Sequence, residues 1–206
     1  MNGNIKDFFN RIAPNWHNSD DVNVILELLN EAGLSNGDMV LDLGCGKGII
    51  TPYLYNITKR KIVAIDISDK MIEEAKKISI DNDKYEFIAG DFYDYKFANK
   101  FDYIICYNAY PHFLDVENFK IKAFNVLNDG GKLVIMHSLG RCQLEVHHQN
   151  IPTLSRILLE PTKEALLYQD SFRLIKSIDL EDRYLLILEK NGDTGFDIGF
   201  ERKHFS

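Results

Sequence analysis

The sequence predicts an α/β fold, a doubly wound and mostly parallel sheet whose last two strands pair antiparallel. Short apolar runs alternate with amphipathic helical segments from Met39 through Ile135, the pattern of parallel strands joined by crossover helices. The first run ends at Asp42-Leu43 and gives way to a turn with glycine at Gly44, Gly46 and Gly48, as when a buried strand delivers its end to a ligand. Phe172–Ser177 and Tyr184–Leu188 flank a turn around Glu181-Asp182 and read as the antiparallel pair.

Each element has a local reason. From Asp20 to Ala32, apolar residues at Val22, Ile25, Leu26, Leu28, Leu29 and Ala32 follow helical spacing, with Ser19 or Asp20 as cap and Gly33 as stop. The glycines of Val40-Leu-Asp-Leu-Gly-Cys-Gly-Lys-Gly48 let the backbone turn tightly and let ligand atoms approach. Their G-x-G-x-G spacing differs from the G-x-G-x-x-G of dinucleotide sites and lacks the Lys-Ser/Thr of a P-loop. A helix over Gly48–Asn56 follows, with Pro52 in its first turn. The second strand, Lys61–Asp66, sets a carboxylate about twenty residues past the glycine turn, where nucleoside-binding sheets hold ribose. A helix over Ser68–Ser79, capped by Ser68 or Asp69, turns Met71, Ile72, Ala75 and Ile78 to the sheet. The third strand runs into Gly90-Asp91-Phe92, where Asp91 suits an adenine amino group and Phe92 its ring. Helix capping is the alternative duty for Asp66 and Asp91. Phe101–Asn108 is the fourth strand, Asp115–Leu127 a helix, and His137 closes the fifth strand. Beyond it lie a His- and Arg-bearing segment and helices between Thr153 and Tyr168.

On these motifs the chain resembles the class I S-adenosylmethionine-dependent methyltransferases, of the small-molecule type. Val40–Gly48 looks like the family's first motif, Asp66 its ribose-binding acid, and Gly90-Asp91-Phe92 its adenine motif. Phe101–Asn108 resembles the strand bordering the transfer site. Leu127-Asn-Asp-Gly-Gly-Lys-Leu-Val-Ile135 resembles the following Leu-x-Pro-Gly-Gly turn and strand, with Asp129 in place of the proline. Phe9-x-x-x-Ala13-x-x-Trp16 looks like the opening of quinone-ring methyltransferases, where an N-terminal arm lies across the substrate. The resemblance implies a Rossmann-like seven-stranded sheet and S-adenosylmethionine as cofactor, with S-adenosylhomocysteine as product. It assigns the cofactor to Asp42, Gly44, Cys45, Gly46, Gly48, Asp66, Ile67, Met71, Gly90, Asp91, Phe92 and Asn108. It also implies one domain over 1–206: an arm over 1–36, a core over 37–190 and a tail over 191–206 without an assigned role.

Composition fits one globular domain: 206 residues, 45% hydrophobic and 27% charged, with net charge −7. Without a clustered basic face, a nucleic-acid acceptor is disfavoured. Cys45, Cys106 and Cys142 are odd in number and widely spaced, which argues against a disulfide framework and for a cytoplasmic protein. No apolar signal or membrane-length run is read, and a monomer or homodimer is expected. Asn108-Ala-Tyr-Pro111 departs from the motif of the family's amino-methylating branches, so the resemblance disfavours amide or nucleobase amine methylation, and a small-molecule acceptor is expected. His112, His137 and Arg141 are the candidate catalytic residues. An imidazole titrating near 6.5 suits a general base, and Arg141 can fork onto a carboxylate or pair with Glu145. No metal is expected, although His112, His137, His147 and His148 are the residues that would form a site. A nicotinamide-dependent oxidoreductase and a non-catalytic S-adenosylmethionine-binding regulatory module are the rival readings.

Overall fold

The computed structural model describes residues 2–16, 20–79, 83–148 and 153–192. The strands are β1 (Val40–Leu43), β2 (Ile62–Asp66), β3 (Tyr85–Ala89), β4 (Phe101–Tyr107), β5 (Leu127–His137), β6 (Phe172–Leu180) and β7 (Arg183–Lys190). They form one seven-stranded sheet in the order β3-β2-β1-β4-β5-β7-β6. The β1–β5 pairings are parallel, whereas β7 lies antiparallel to both β5 and β6. Strand order reverses between β2 and β4 on either side of β1, which opens a crevice at the carboxyl ends of these strands.

Alternation along the strands builds two layers. Leu41, Leu43, Ile104, Leu133 and Ile135 face Phe119 and Ala123 of α5 (Val116–Val126). Val40, Ile105, Val134 and Met136 face Ile25, Leu28 and Leu29 of α2 (Val22–Ala32). Asp21 caps α2 by accepting from Asn23 N–H at 2.8 Å, and Gly33 ends it in a left-handed turn. The expected cap was Ser19 or Asp20. Ser19 lies outside the described residues, and the Asp20 side chain turns elsewhere. The expected helix over 68–79 divides into α4 (Asp69–Ala75), capped by Ser68, and a 3-10 turn over Lys76–Ser79. After the glycine turn, α3 (Thr51–Thr58) carries Pro52 in its first turn. Both antiparallel strands run longer than their apolar cores suggest.

An additional helix, α1 (Asn2–Ile12), lies across the carboxyl edge of the sheet. Its Asn10 side-chain Oδ1 accepts from the Ser68 hydroxyl at 2.7 Å, and Lys6 pairs with Asp69 at 2.7 Å. Beyond it, Lys47 of the glycine turn donates to the Trp16 carbonyl at 2.8 Å. The arm is therefore fastened beside the strand ends. The expected tail falls outside the described residues from 193 onward.

Candidate active site

The crevice beside β1 is a cavity of about 430 Å³ at the strand ends, walled by Ile5, Phe8, Phe9 and Trp16 of the arm. At its β1–β3 end the acids are set by backbone geometry. Asp66 Oδ2 accepts from Gly46 N–H at 2.9 Å and Oδ1 from Ser68 N–H at 2.8 Å. Burial raises its pKa, and those two N–H groups oppose the shift. Asp91 Oδ1 accepts from Tyr93 N–H at 3.0 Å. Asp42 accepts from the Thr51 hydroxyl at 2.6 Å, and burial pushes its pKa up to about 7, with Asp66 adding to the rise. Burial likewise pushes up the Cys45 thiol. Gly44 adopts φ +69°, and a Cβ there would meet the Ala109 side chain at 2.5 Å. Only glycine lets the β1 turn approach the loop after β4 so closely.

At the β4–β5 end, side chains distant in sequence converge. Asp20 Oδ2 accepts from the Tyr107 hydroxyl at 2.8 Å and Asn108 Nδ2 at 3.1 Å, and Oδ1 accepts from the Ser138 hydroxyl at 2.7 Å. Asn108 takes a left-handed φ of 52°, a conformation its type tolerates. Its own Oδ1 accepts from Ser138 N–H at 3.0 Å. His112 lies in a 3-10 turn (Tyr110–His112), its ring edge-on to Phe9 at 4.9 Å between centroids. His112 Nδ1 bonds the Leu154 carbonyl at 2.8 Å. A carbonyl only accepts, so in the neutral ring the proton sits on Nδ1 and Nε2 is the unprotonated nitrogen.

Beneath His112, Glu164 is fully buried and pairs with Arg156, while accepting from the Tyr110 hydroxyl at 2.7 Å and Leu159 N–H at 3.2 Å. The Tyr110 and Tyr168 hydroxyls lie 2.6 Å apart. The Arg156 guanidinium stacks 4.5 Å over the Tyr110 ring, and the Arg156 backbone N–H donates to the Pro111 carbonyl at 2.9 Å. This network attaches the segment from 153 to α7 (Pro161–Leu166) to the turn that carries His112.

Of the residues expected at the cofactor, Asp42, Gly44, Cys45, Gly46, Asp66, Ile67, Met71, Gly90, Asp91, Phe92 and Asn108 line the cavity. Gly48 does not. Its left-handed turn faces Ile78 and Phe87, where a Cβ would come within 3.0 to 3.1 Å, so it serves packing. Among the expected catalytic residues His112 lines the cavity, whereas His137 and Arg141 stand outside it. Strand alternation sends His137 into the layer of Leu133 and Ile135, against the Tyr184 ring at 5.9 Å. Ser138, one residue on, is the one that reaches the cavity. Arg141 opens α6 (Arg141–His148) and pairs with Asp179 of β6 at 3.2 Å rather than with Glu145 or the cavity. Gly140 causes this, because its N–H bonds the Glu181 carbonyl at 3.0 Å and holds the helix start on the β6–β7 turn. Among the described residues no group of three or more His, Cys, Asp or Glu could hold a metal. His17 and the side chains of His147 and His148 lie outside the description. Asp20, Tyr107 and Ser138 were not expected at the site from sequence, where Asp20 was read only as a possible helix cap. The available signal was Asp20-Asp21, two acids where one cap suffices.

Residues 40–131 match the family described as a methyltransferase domain. Over this stretch the chain is similar to methyltransferase domains. It is 28% identical over 145 residues to the ubiquinone biosynthesis O-methyltransferase of Schizosaccharomyces pombe, covering 63% of this chain and 53% of that protein. It is 31% identical over 121 residues to an rRNA adenine N-6-methyltransferase of Bacteroides fragilis, covering 58% and 44%. The chain thus spans about half the length of these curated relatives. The chain also shares its fold with the N-methyltransferase NodS of Bradyrhizobium japonicum WM9 in complex with S-adenosyl-L-homocysteine. The TM-score is 0.70 at 16% identity, over 91% of this chain and 98% of that one. Among the described residues no helix is long and apolar enough to cross a membrane.

Proposed function

We propose that this chain transfers a methyl group from S-adenosylmethionine to a small-molecule acceptor. The observation that carries the reading is one cavity that joins strand-end acids to an aromatic wall supplied by the arm. The residues present fit the cofactor. Asp66 is fixed at the end of β2 to take ribose hydroxyls, and Asp91 and Phe92 stand at the end of β3 for adenine. The acids suit a cation and would repel a 2′-phosphate. When bound, the cofactor supplies an activated methyl group on a sulfonium and is left as a neutral thioether. The chain's own work is to align the partners and exclude water, a contribution of roughly 7–11 kcal/mol at best. Phe8, Phe9 and Trp16 close the cavity from the arm side, so α1 and the turn after it serve as a lid, whereas α2 packs within the core. His112 Nε2 takes the proton of an acceptor that must lose one.

Calorimetry and a methylation screen test this reading. S-adenosylhomocysteine is expected to bind the full chain, and Asp66→Ala to weaken binding at least about tenfold, as for loss of charge-assisted bonds. His112→Gln is expected to keep that affinity and lower turnover on a small-molecule panel. Tight binding with no turnover on any acceptor would favour the regulatory module, and a gel shift resistant to moderate salt would favour RNA.

A further inference from the structure

We infer, on the basis of the methyltransferase reading, that Asn10 of the arm is a positioning residue for the cofactor. It holds the ribose-binding end of β2 through Ser68, so that arm docking and cofactor binding strengthen each other. The Ser68 side chain is fully buried and serves two partners at once. Its oxygen accepts from Met71 N–H at 3.1 Å, which caps α4, and its proton goes to Asn10 Oδ1 at 2.7 Å. Asn10 Oδ1 also accepts from Lys70 N–H at 3.2 Å, a first-turn donor without a partner inside the helix. Ser68 N–H in turn donates to Asp66 Oδ1 at 2.8 Å. One residue thus connects the arm to the carboxylate that takes the ribose. A second tie runs from the other side of Asp66. Lys47, next to the Gly46 whose N–H binds Asp66, donates to the Trp16 carbonyl at 2.8 Å. Both backbone donors that hold Asp66 therefore sit in segments fastened to the arm.

The coupling follows from what is lost when the arm lifts. The Ser68 oxygen would keep Met71 N–H, but its proton would lose the Asn10 acceptor, and a bond left unmade at a buried donor is costly. In the other direction, Ile5, Phe8, Phe9 and Trp16 line the same cavity as Asp66, Ile67 and Met71. A nucleoside seated on Asp66 then meets a wall that exists only with the arm docked. A ligand that gains contacts in one state shifts the population toward it, and the linkage is reciprocal. Phe9, the neighbour of Asn10, carries the effect across the cavity. Its ring meets that of His112 edge-on at 4.9 Å, so fixing Asn10 on Ser68 also fixes the wall beside His112. The acceptor end is completed once the cofactor is in place.

The test is a double-mutant cycle on S-adenosylhomocysteine affinity, read by calorimetry on the full chain, with hydrogen exchange of the α1 amides beside it. Asn10→Ala keeps α1, because alanine is the stronger helix former. It is expected to weaken binding about tenfold, as for a buried donor left without its acceptor. Asn10→Asp restores an oxygen acceptor and is expected to recover most of that loss. In a Ser68→Ala background, where the partner is already gone, Asn10→Ala is expected to cost no more than about twofold further. Saturating S-adenosylhomocysteine is expected to slow α1 exchange about fivefold or more in the unsubstituted chain, and by less in Asn10→Ala. Four outcomes overturn the inference alone: unchanged affinity in Asn10→Ala, no recovery in Asn10→Asp, a full-size loss in the Ser68→Ala background, or α1 exchange indifferent to the ligand. Failure of the unsubstituted chain to bind S-adenosylhomocysteine overturns the methyltransferase reading, and this inference with it.

Discussion

At the β1–β3 end of the cavity, Asp66 is held by the N–H groups of Gly46 and Ser68, and Asp91 by that of Tyr93. At the β4–β5 end, Asp20 is held by Tyr107 and Ser138, residues 87 and 118 positions away, and His112 by the Leu154 carbonyl. The first arrangement is made of backbone that turns at strand ends, so few side-chain changes alter it. The second is made of side chains brought together only by the finished fold. A cofactor common to many reactions belongs with the first kind, and an acceptor that differs between enzymes belongs with the second.

The sharpest way to break this contrast is Glu164→Ala. It leaves Arg156 with its guanidinium largely buried beside Tyr110, and removing one partner of a buried pair costs about 3–5 kcal/mol. Urea denaturation should show that loss of stability. In folded protein at low denaturant, S-adenosylhomocysteine affinity should change far less than acceptor affinity. Equal losses at both ends would show that the two ends do not stand apart.

The contrast also explains what could be read beforehand. The places of Gly44, Asp66 and Asp91 at the cavity were legible because each is written into adjacent residues: a strand, its last acid and the turn after it. Arg156, Glu164 and Tyr168 carried no such sign, since their meaning depends on Tyr110 arriving from another element. His137 lies outside the cavity for a narrower reason. Its place at the end of β5 was readable, but strand parity gave the cavity to Ser138. Arg141 was drawn away by Asp179, a residue 38 positions along the chain.

A smaller effect sharpens the cofactor side. The folded chain keeps the Asp42 proton up to about pH 7, whereas the ordinary value is 3.8. The folded state therefore binds the extra proton across that window, and Asp42's contribution makes stability fall as pH rises through it. A sulfonium favours the ionised carboxylate. Affinity for S-adenosylmethionine should thus rise up to about tenfold from about pH 6 to about pH 8. Affinity for the uncharged thioether should rise less. Asp42→Asn should flatten the difference in calorimetry, and a difference that persists unchanged would assign it to another group. The smallest effect belongs to Arg141→Ala. Its bond with Asp179 is partly exposed, so unfolding free energy should drop by no more than about 1 kcal/mol. Turnover should be unaltered, because the guanidinium lies outside the cavity.

The approach of Gly44 to Ala109 limits how the site can diverge. With a hypothetical methyl group at Gly44 only 2.5 Å from the Ala109 Cβ, neither position has room to grow without forcing β1 and β4 apart. Diversification of the acceptor pocket is thereby channelled into the residues after Ala109 and into the arm. Change can accumulate there while the seam between these two strand ends stays fixed.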